Sequence, residues 1–330
     1  MRSVFVTGAA GFIGAHVVQA LAQKGMRVHG CDVLSAGRLL VLQEGRLTAL
    51  TRPNGVTVTH LDVCDTDALT QALLEREIEV VVHLAALPGV RASAQRPLTY
   101  ANTNLMGFAS VMEASRRAGV GRLLYASSSS VYGQRGGQFA ESDRTGPPTS
   151  FYAATKIANE AMAAAYKTQM GLNCTGLRFF TVYGPWGRPD MAPFLFAQAI
   201  RHGHEIKLYG HGQPRRDFTY IEDAVDAVVR LVQRPVHQPL PDVLNIGHSQ
   251  PVRMLEFLRL LEEALGQSAQ VQMHRLPADD VAYTCADVQL LNRVMGGPMR
   301  HTPLRLGLAQ MVDWLDGWEP ISACPPASTC

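Results

Sequence analysis

The sequence is poor in lysine, in cysteine and in net charge. It holds four lysines among thirty basic residues, and its formal net charge at neutral pH is +2. So small a charge gives no electrostatic basis for binding nucleic acid or a membrane surface. The six cysteines show no C-x-x-C spacing, so the sequence indicates neither a zinc site nor a disulfide framework. We therefore expect no metal.

Long apolar runs are also missing. No stretch of about 18 uncharged apolar residues occurs, and the sequence starts with a strand-like segment at residues 3–7 in place of a signal-peptide pattern. We therefore expect a cytoplasmic protein. Hydrophobic residues make up 47% and charged residues 18% of the chain, which is ordinary for a globular protein and excludes a disordered class.

Short apolar runs alternate with amphipathic stretches in the first half of the chain. The pattern predicts strands at 4–6, 27–31, 56–61, 80–84, 122–127 and 174–180, and helices at 15–23, 67–76, 104–118 and 152–170. Such alternation is typical of an α/β, Rossmann-like doubly wound parallel sheet, which binds ligands at the carboxyl ends of its strands.

The length of 330 residues predicts one large domain plus a smaller one. We expect the Rossmann domain at 1–180 and a mixed α/β substrate domain at 181–320, with segments near 217–232 packing back on the sheet. An amphipathic helix at 310–318 is expected in the core. The polar tail at 321–330, with its prolines, is expected to be loose.

A glycine turn follows the first predicted strand. Glycines there allow the backbone to turn tightly and approach a pyrophosphate, and the next helix offers free N–H groups to it. Asp32 ends the second strand, where a carboxylate can accept the ribose hydroxyls of NAD and repel the 2′-phosphate of NADP. The turn and the start of its helix give the predicted cofactor residues Gly8, Gly11, Phe12, Ile13 and Gly14.

Further candidates for cofactor contact follow the next strands. Asp62 and Val63 stand where an adenine would lie, and the small side chains after the fourth strand would let a cofactor approach closely. These last residues are Leu84, Ala85 and Ala86. Simple loop packing is an equally good interpretation of the two alanines.

Tyr152 and Lys156 lie four residues apart on a predicted helix and therefore share one face. A phenol beside an ammonium can transfer protons. By itself such a pair is weak, because many solvated helix faces carry one. Its context is stronger, since the strand at 122–127 ends in the hydroxyl-rich run Ser127 to Ser130.

Several motifs in order and spacing resemble the extended short-chain dehydrogenase/reductase superfamily, in its NAD-dependent epimerase/dehydratase family. The segment at 177–191, Leu-Arg-Phe-Phe-Thr-Val-Tyr-Gly-Pro-Trp-Gly-Arg-Pro-Asp-Met, is similar to the UDP-glucuronate 4-epimerase branch. The other motifs lie at 7–14, 83–86, 104–107, 127–133 and 152–156, and the match runs from about residue 2 to 315.

The resemblance implies roles for four residues. Tyr152 would remove the proton of the sugar 4-hydroxyl, which asks for a phenol pKa roughly 3 units below the usual value of about 10. Lys156 and a positive nicotinamide would stabilise the phenolate, and Lys156 would also hold the nicotinamide ribose. Ser128 would orient the hydroxyl and share its proton. Asn104 matches a supporting asparagine among the cofactor residues, although its position alone suggests a helix cap.

The resemblance also implies a UDP-sugar site. Ser129 and Ser130 stand where related dehydratases and decarboxylases carry acids, so hydride return alone is the simplest reaction. Thr181 and Arg188 would hold the sugar carboxylate, which otherwise favours loss of CO₂ from a 4-keto uronic acid. A solvated loop cation is the alternative for Arg188. The nucleotide side of the site would use Arg216 and Asp280, while Arg91 matches a substrate-side arginine that would serve either the phosphates or the carboxylate.

The sequence departs from the family pattern at a few substrate-side positions. Leu87, Pro88 and Ala92 replace the residues usual around Arg91, and the loop at 277–280 differs from the usual Gln-Pro-Gly-Asp. A UDP-glucuronate decarboxylase and a 4-epimerase of a neutral UDP-hexose therefore remain open, as does a catalytically silent NAD-binding protein. A homodimer formed through the helices at 104–118 and 152–170 is a family expectation.

Overall fold

The computed structural model describes residues 1–35, 37–277 and 280–318, without the side chain of Arg38. The predicted tail at 321–330 lies outside the described residues. The strands are β1 Ser3–Thr7, β2 Arg27–Asp32, β3 Val58–His60, β4 Val80–His83, β5 Arg122–Ser128, β6 Cys174–Phe179, β7 Thr181–Tyr183, β8 Glu205–Tyr209, β9 Arg215–Tyr220, β10 Val243–Ile246, β11 Pro251–Arg253 and β12 Gln270–His274. The helices are α1 Phe12–Gln23, α2 Arg38–Arg46, α3 Thr66–Glu75, α4 Val90–Gln95, α5 Pro97–Ala101, α6 Gly107–Arg117, α7 Phe151–Met170, α8 Ala192–Arg201, α9 Ile221–Gln233, α10 Met254–Leu265, α11 Gln289–Met295 and α12 Leu304–Asp316.

A parallel sheet organises the first half of the chain. Within the described residues it has seven strands in the order β10-β6-β5-β4-β1-β2-β3. The central strands β1 and β4 are buried along their whole length because they are covered on both faces, which suits their valine-rich sequences. The strand order reverses between β1 and β4, so a ligand cleft is expected at the carboxyl ends there.

Two layers of helices cover this sheet. Helices α1 and α9 pack against each other on one face, where Val17, Val18, Val228 and Leu231 join the larger apolar cluster. Helices α3, α6 and α7 bury Leu69, Val111 and Ala163 on the other face. The predicted α/β Rossmann-like class is confirmed.

The later part of the chain forms two smaller sheets. In the part that the structure describes, β7, β9 and β11 make one sheet and β8 pairs in parallel with β12. Helices α10 and α12 pack together beside them, while α9, which follows β9 directly, lies on α1 of the large sheet. The domain boundary at 180 stays a prediction.

The amino end of the large sheet is held by an arginine. Arg122, the first residue of β5, donates to main-chain carbonyls at and beyond the end of α9, among them those of Leu231 at 3.1 Å and Gln238 at 2.7 Å. These carbonyls lack helical partners, so the guanidinium satisfies them.

Some element bounds differ from the sequence prediction. The strand predicted at 56–61 is ordered as a strand only over Val58–His60, because it is an edge strand that pairs with β2 alone. The helix predicted at 104–118 starts as a π-helical turn, Asn102–Met106, before α6. The helix predicted at 310–318 is α12, which begins earlier, at Leu304.

None of the helices in the described part of the chain combines the length and apolar composition needed to cross a membrane. Among the same residues, no cluster of three or more His, Cys, Asp or Glu side chains could hold a metal ion.

Candidate active site

Ser128 lies at the carboxyl end of β5, where the chain leaves the sheet through a short helical turn, Ser129–Tyr132. The Ser128 hydroxyl accepts hydrogen bonds from the Ser130 main-chain N–H at 3.2 Å and the Ser130 hydroxyl at 3.0 Å. The three predicted serines therefore form one hydroxyl-rich turn at the cleft.

Tyr152 and Lys156 stand in the first turns of α7, as the spacing predicted. The Ser150 hydroxyl caps this helix by accepting from Ala153 N at 3.0 Å, and Tyr152 N donates to the Ser93 hydroxyl at 3.1 Å. The Ser128 side chain lies close enough to the Tyr152 phenol to affect its pKa. Lys156 is buried, and its Nζ donates to the Ala126 carbonyl at 2.8 Å and lies 5.9 Å from the Tyr152 ring centre.

The protein alone does not lower the pKa of the phenol. Burial raises the pKa of Tyr152, while the nearby Ser128 side chain and the charge of Arg188 oppose that rise without reversing it. Burial also lowers the pKa of Lys156 to about 8, against the opposing charge of Glu160. An additional positive charge is therefore needed for Tyr152 to act as a base near neutral pH.

The glycine turn between β1 and α1 is packed so tightly that side chains are excluded. Gly8 has a φ of +70°, and a Cβ on it would lie 2.7 Å from Ala85 N. A Cβ on Gly14 would lie 2.0 Å from the Gly8 carbonyl oxygen. Helix α1 begins after Gly11 without a side-chain cap and without an acid in its first turn. Its N–H groups thus suit an anion such as a diphosphate.

Asp32 stands at the end of β2 beside this turn. Its carboxylate accepts from Ala10 N at 2.8 Å, and burial raises its pKa against the effect of such hydrogen bonds. Phe12 is buried and Ile13 is half-buried in the first turn of α1. The glycine turn and Asp32 together fit a dinucleotide, with diphosphate at the helix and ribose at the carboxylate.

The loops after β3 and β4 bring the other predicted cofactor residues to the same edge. The Asp62 carboxylate accepts from Cys64 N at 2.9 Å, and Val63 is buried. Leu84 N donates to the Thr7 carbonyl and Ala85 N to the Thr7 hydroxyl, both at 3.2 Å. Ala86 is half-buried. These contacts fix the loop after β4 against the start of the glycine turn.

Asn104 joins this loop to α7. Its side chain accepts from Leu87 N at 2.8 Å and donates to the Leu87 carbonyl at 3.0 Å and the Thr155 hydroxyl at 3.2 Å. Thr155 lies between the two predicted catalytic residues of α7. Asn104 therefore positions the helix, and within the described residues its side chain forms no hydrogen bond with Tyr152, Lys156 or Ser128.

Arg188 lies on the substrate side of the cleft. Its charge acts on the Tyr152 phenol, and its Nε donates to the Asp190 carboxylate at 3.0 Å. A Cβ on Gly89 would lie 3.6 Å from Arg188 Nη2, so the loop before α4 faces the guanidinium. Thr181 is half-buried at the start of β7. The cation thus stands within electrostatic reach of Tyr152, the predicted base.

The remaining predicted substrate residues pair with each other or with neighbours. Arg216 Nη2 donates to the Asp280 carboxylate at 2.8 Å, and Asp280 borders a cavity of about 510 Å³. The other described residues lining this cavity are Gln134, Arg135, Gly136, Leu276, Pro277, Val281, Ala282 and Tyr283. The Arg91 guanidinium stacks 5.4 Å from the ring centre of Tyr209.

Sequence reasoning missed several buried polar residues around the site. Glu160 forms a two-point ion pair with Arg178 of β6 and accepts from the Ser127 hydroxyl at 2.6 Å. Glu160 lies four residues after Lys156 on the same helix, and this spacing would have indicated that the two side chains share one face. Arg46 is buried and donates hydrogen bonds to the main-chain carbonyls of Ala10 and Trp186. No local sequence pattern predicts such contacts.

Comparisons with known proteins show the family to which the chain is similar. Residues 4–247 match the model of the NAD dependent epimerase/dehydratase family. The chain is 39% identical to the probable UDP-glucuronate 4-epimerase of Rhizobium meliloti strain 1021, over 94% of this chain and 96% of that protein.

Two solved structures are similar to the whole described fold. A UDP-glucuronic acid 4-epimerase from Bacillus cereus, in complex with UDP-glucuronic acid and NAD, has a TM-score of 0.89 and 30% identity, with 96% of this chain and 99% of that chain covered. MoeE5 in complex with UDP-glucuronic acid and NAD has a TM-score of 0.83 and 35% identity over the same shares of the two chains.

Proposed function

This chain belongs to the NAD dependent epimerase/dehydratase family, and from that premise we propose that it is an NAD-dependent UDP-glucuronate 4-epimerase. It interconverts UDP-glucuronate and UDP-galacturonate through a transient 4-keto sugar. The observation that carries the proposal is that Lys156 Nζ, 5.9 Å from the Tyr152 ring centre, donates to the Ala126 carbonyl of β5 two residues before Ser128, while the charge of Arg188 acts on the same phenol. A proton acceptor and a carboxylate binder therefore serve one site.

The glycine turn and Asp32 support NAD as the cofactor. The free N–H groups of α1 would hold the diphosphate, and Asp32 would accept hydrogen bonds from the adenosine ribose. Asp62 and Val63 would hold the adenine, and Leu84, Ala85 and Ala86 would let the cofactor approach the loop after β4 closely. Bound NAD supplies a hydride acceptor, a hydride donor and a positive ring.

Tyr152 takes the proton of the sugar 4-hydroxyl and gives it back from the phenol after the sugar has turned. Ser128, which lies beside the phenol, orients that hydroxyl. Lys156 is charged below about pH 8 and stands against the Tyr152 ring, so it favours the phenolate. The additional positive charge that Tyr152 needs arrives with the cofactor.

Arg188 and Thr181 hold the sugar carboxylate, and Ser129 and Ser130 line the same pocket. A 4-keto uronic acid is a β-keto acid. It loses CO₂ when the C5–C6 bond to its carboxylate lies parallel to the π orbitals of the C4 ketone. A two-point grip by a guanidinium keeps that carboxylate fixed. No acid occupies positions 129 and 130, so elimination and assisted decarboxylation lack a catalyst from this turn.

Arg216, Asp280 and Arg91 serve the nucleotide end. Arg216 is a half-buried cation on β9 that can meet the diphosphate, and the cavity beside Asp280 has room for the uridine. The ion pair between Arg216 and Asp280 links the cation to the loop that borders this cavity.

Product analysis tests the proposed function. Purified protein incubated with UDP-glucuronate and no added reductant is expected to give UDP-galacturonate. CO₂ and a UDP-pentose would indicate a decarboxylase, and faster conversion of UDP-glucose or UDP-N-acetylglucosamine would indicate a neutral-hexose epimerase. A protein that binds NAD and converts none of these sugars would be a silent relative.

We also propose a homodimer in the cytoplasm. Helix α7 exposes a row of small residues that includes Ala161 and Ala165, and Met106, which precedes α6, is also exposed. Such a surface suits close packing against a second copy of α6 and α7. The free thiols of Cys31, Cys64, Cys174 and Cys285 suit a reducing compartment.

A further inference from the structure

Arg46, the last residue of α2, is a buried cation whose hydrogen bonds go to main-chain carbonyls. Its Nη1 donates to Ala10 at 3.2 Å, and its Nε and Nη2 donate to Trp186 at 3.0 and 2.7 Å. Nη2 also approaches the Gly187 carbonyl at 3.4 Å. In the described part of the chain no carboxylate lies within ion-pair distance of Arg46, although the charge of Asp32 favours its protonated form.

These carbonyls belong to two separate parts of the active site. Ala10 lies inside the glycine turn between Gly8 and Gly11, and its own N–H donates to Asp32. Trp186 and Gly187 directly precede Arg188. One guanidinium thus connects the turn proposed to hold NAD with the loop proposed to hold the sugar carboxylate. Arg46 and Trp186 are 140 residues apart in the sequence.

Trp186 is held in a conformation that needs support. Its φ is +63°, which is unfavourable for a bulky residue. Its ring packs 5.1 and 4.9 Å from the ring centres of Trp314 and Trp318, and a Cβ on Gly45 would lie 2.5 Å from it. The ring therefore lies between Trp314 of α12, Trp318 beyond the end of that helix and α2, while Arg46 binds the main-chain carbonyl of the same residue.

We propose that Arg46 is a positioning residue that sets the selectivity of this enzyme for a uronic acid over a neutral sugar. It does so by locking the main chain at Trp186 and Gly187, so that Arg188 meets the sugar carboxylate in one fixed geometry. Misplacing Arg188 weakens the two-point grip and frees the carboxylate. This inference deepens the proposed function and rests on it.

Arg46 could instead contribute only to stability, and Arg122 provides the matched control for that alternative. Arg122 is also a buried arginine that donates to several main-chain carbonyls, but at the amino end of the sheet, away from the cleft. R122M therefore removes a comparable set of hydrogen bonds without touching the loop of Arg188.

The test compares R46M, R46K and R122M with the wild type. Dissociation constants for UDP-glucuronate and UDP-glucose are measured by calorimetry on the NAD-loaded enzyme. The proposal expects the ratio of the two constants to shift at least about tenfold against UDP-glucuronate in R46M. R46K keeps the charge but not the planar fork, so it is expected to shift in the same direction. R122M is expected to lose thermal stability with an unchanged ratio.

Product analysis gives a second readout. Once the carboxylate is free, the C5–C6 bond of the 4-keto sugar breaks, its electron pair forms the C4 enolate, CO₂ leaves, and C5 takes up a proton from water. The expected result is a 4-keto pentose or its reduced form from R46M and R46K, and none from R122M.

Two failures can be told apart. A wild-type protein that does not convert UDP-glucuronate to UDP-galacturonate would refute the proposed function. An active wild type whose R46K and R46M variants keep its binding ratio and release no CO₂ would refute the role of Arg46 alone. A shift in R122M equal to that in R46M would reduce Arg46 to a stabilising residue.

Discussion

At the scale of single residues, the site places two groups with opposed pKa behaviour side by side. Burial raises the pKa of Tyr152 and lowers that of Lys156 to about 8, so each is pushed toward its neutral form. The pair is thus prepared for proton transfer but lacks one positive charge. A cofactor with a cationic ring supplies that charge, which makes phenol activation depend on cofactor binding.

Removal of the Tyr152 hydroxyl tests the assigned base. Y152F is expected to lower the turnover of UDP-glucuronate by about 10² to 10⁴-fold, the range for a lost general acid–base group. NAD binding should persist, because the glycine turn and Asp32 are untouched. Product formation and bound NAD are measured on the same sample, and an unchanged rate would refute the assignment.

The buried ammonium of Lys156 predicts a pH-dependent stability. Below pH 8 both folded and unfolded chains carry the proton, and burying the charge costs stability. Between the folded pKa of about 8 and the unfolded value of about 10.4, only the unfolded state binds the proton, so stability rises with pH. Relative to K156M, the wild-type free energy of unfolding should therefore increase by about 3 kcal/mol across this window.

Urea unfolding of both proteins at pH 7.5, 9 and 10.5 measures this difference. The comparison cancels titrations that the two proteins share. A difference in free energy of unfolding that is constant with pH would show that Lys156 keeps an ordinary pKa in the folded protein.

At the scale of elements, α7 is held in place by polar contacts along one side. Ser150 caps its start, Asn104 bonds Thr155, and Glu160 pairs with Arg178 of β6. These contacts fix the rotation of the helix, and with it the direction of Tyr152. The chemistry at the cleft thus depends on how the helix is seated on the sheet.

Breaking the Glu160–Arg178 pair is expected to be costly. E160Q leaves a buried guanidinium without its carboxylate, which should lower the free energy of unfolding by about 3 to 5 kcal/mol. Removing both charges in E160L/R178M should recover a large part of that loss, because no unpaired charge remains. Denaturant unfolding of the three proteins measures this, and equal losses in the single and double variants would contradict it.

Most elements could be predicted from the sequence because apolar periodicity records which face of a strand or helix is buried. The valine run of β4 is an example. The four-residue spacing of Tyr152 and Lys156 in the same way predicted that they share one face of α7. The contacts of Arg46 could not be predicted, because its guanidinium donates to main-chain carbonyls. Every residue has such a carbonyl, so the side-chain pattern does not indicate which ones are used. The predicted length of β3 was too great. An edge strand ends where its pairing with the neighbouring strand ends, and this pairing depends on the tertiary structure.

At the scale of the whole molecule, the sheet is covered by α1 and α9 on one face and by α3, α6 and α7 on the other. The second layer exposes the alanine row of α7. In the proposed dimer this row lies against its copy, so the seating of α7 and the assembly of the protein are connected.

A charge in the alanine row is expected to separate the subunits. A161R would bury an unpaired guanidinium in the proposed contact and should weaken association by about 3 kcal/mol, or roughly a hundredfold. Sedimentation at several protein concentrations measures it. L306R, which charges an exposed apolar residue of α12 instead, is the control. A wild type that is monomeric throughout would contradict the dimer.

The central claim, epimerisation at C4 by removal and return of one hydride, is tested most directly with UDP-glucuronate deuterated at C4. The protein is incubated in ordinary water without added reductant, and the products are identified by mass spectrometry and proton NMR. The account predicts UDP-galacturonate that retains the deuterium at C4. UDP-galacturonate without deuterium, or a UDP-pentose with CO₂ as the main product, would contradict it.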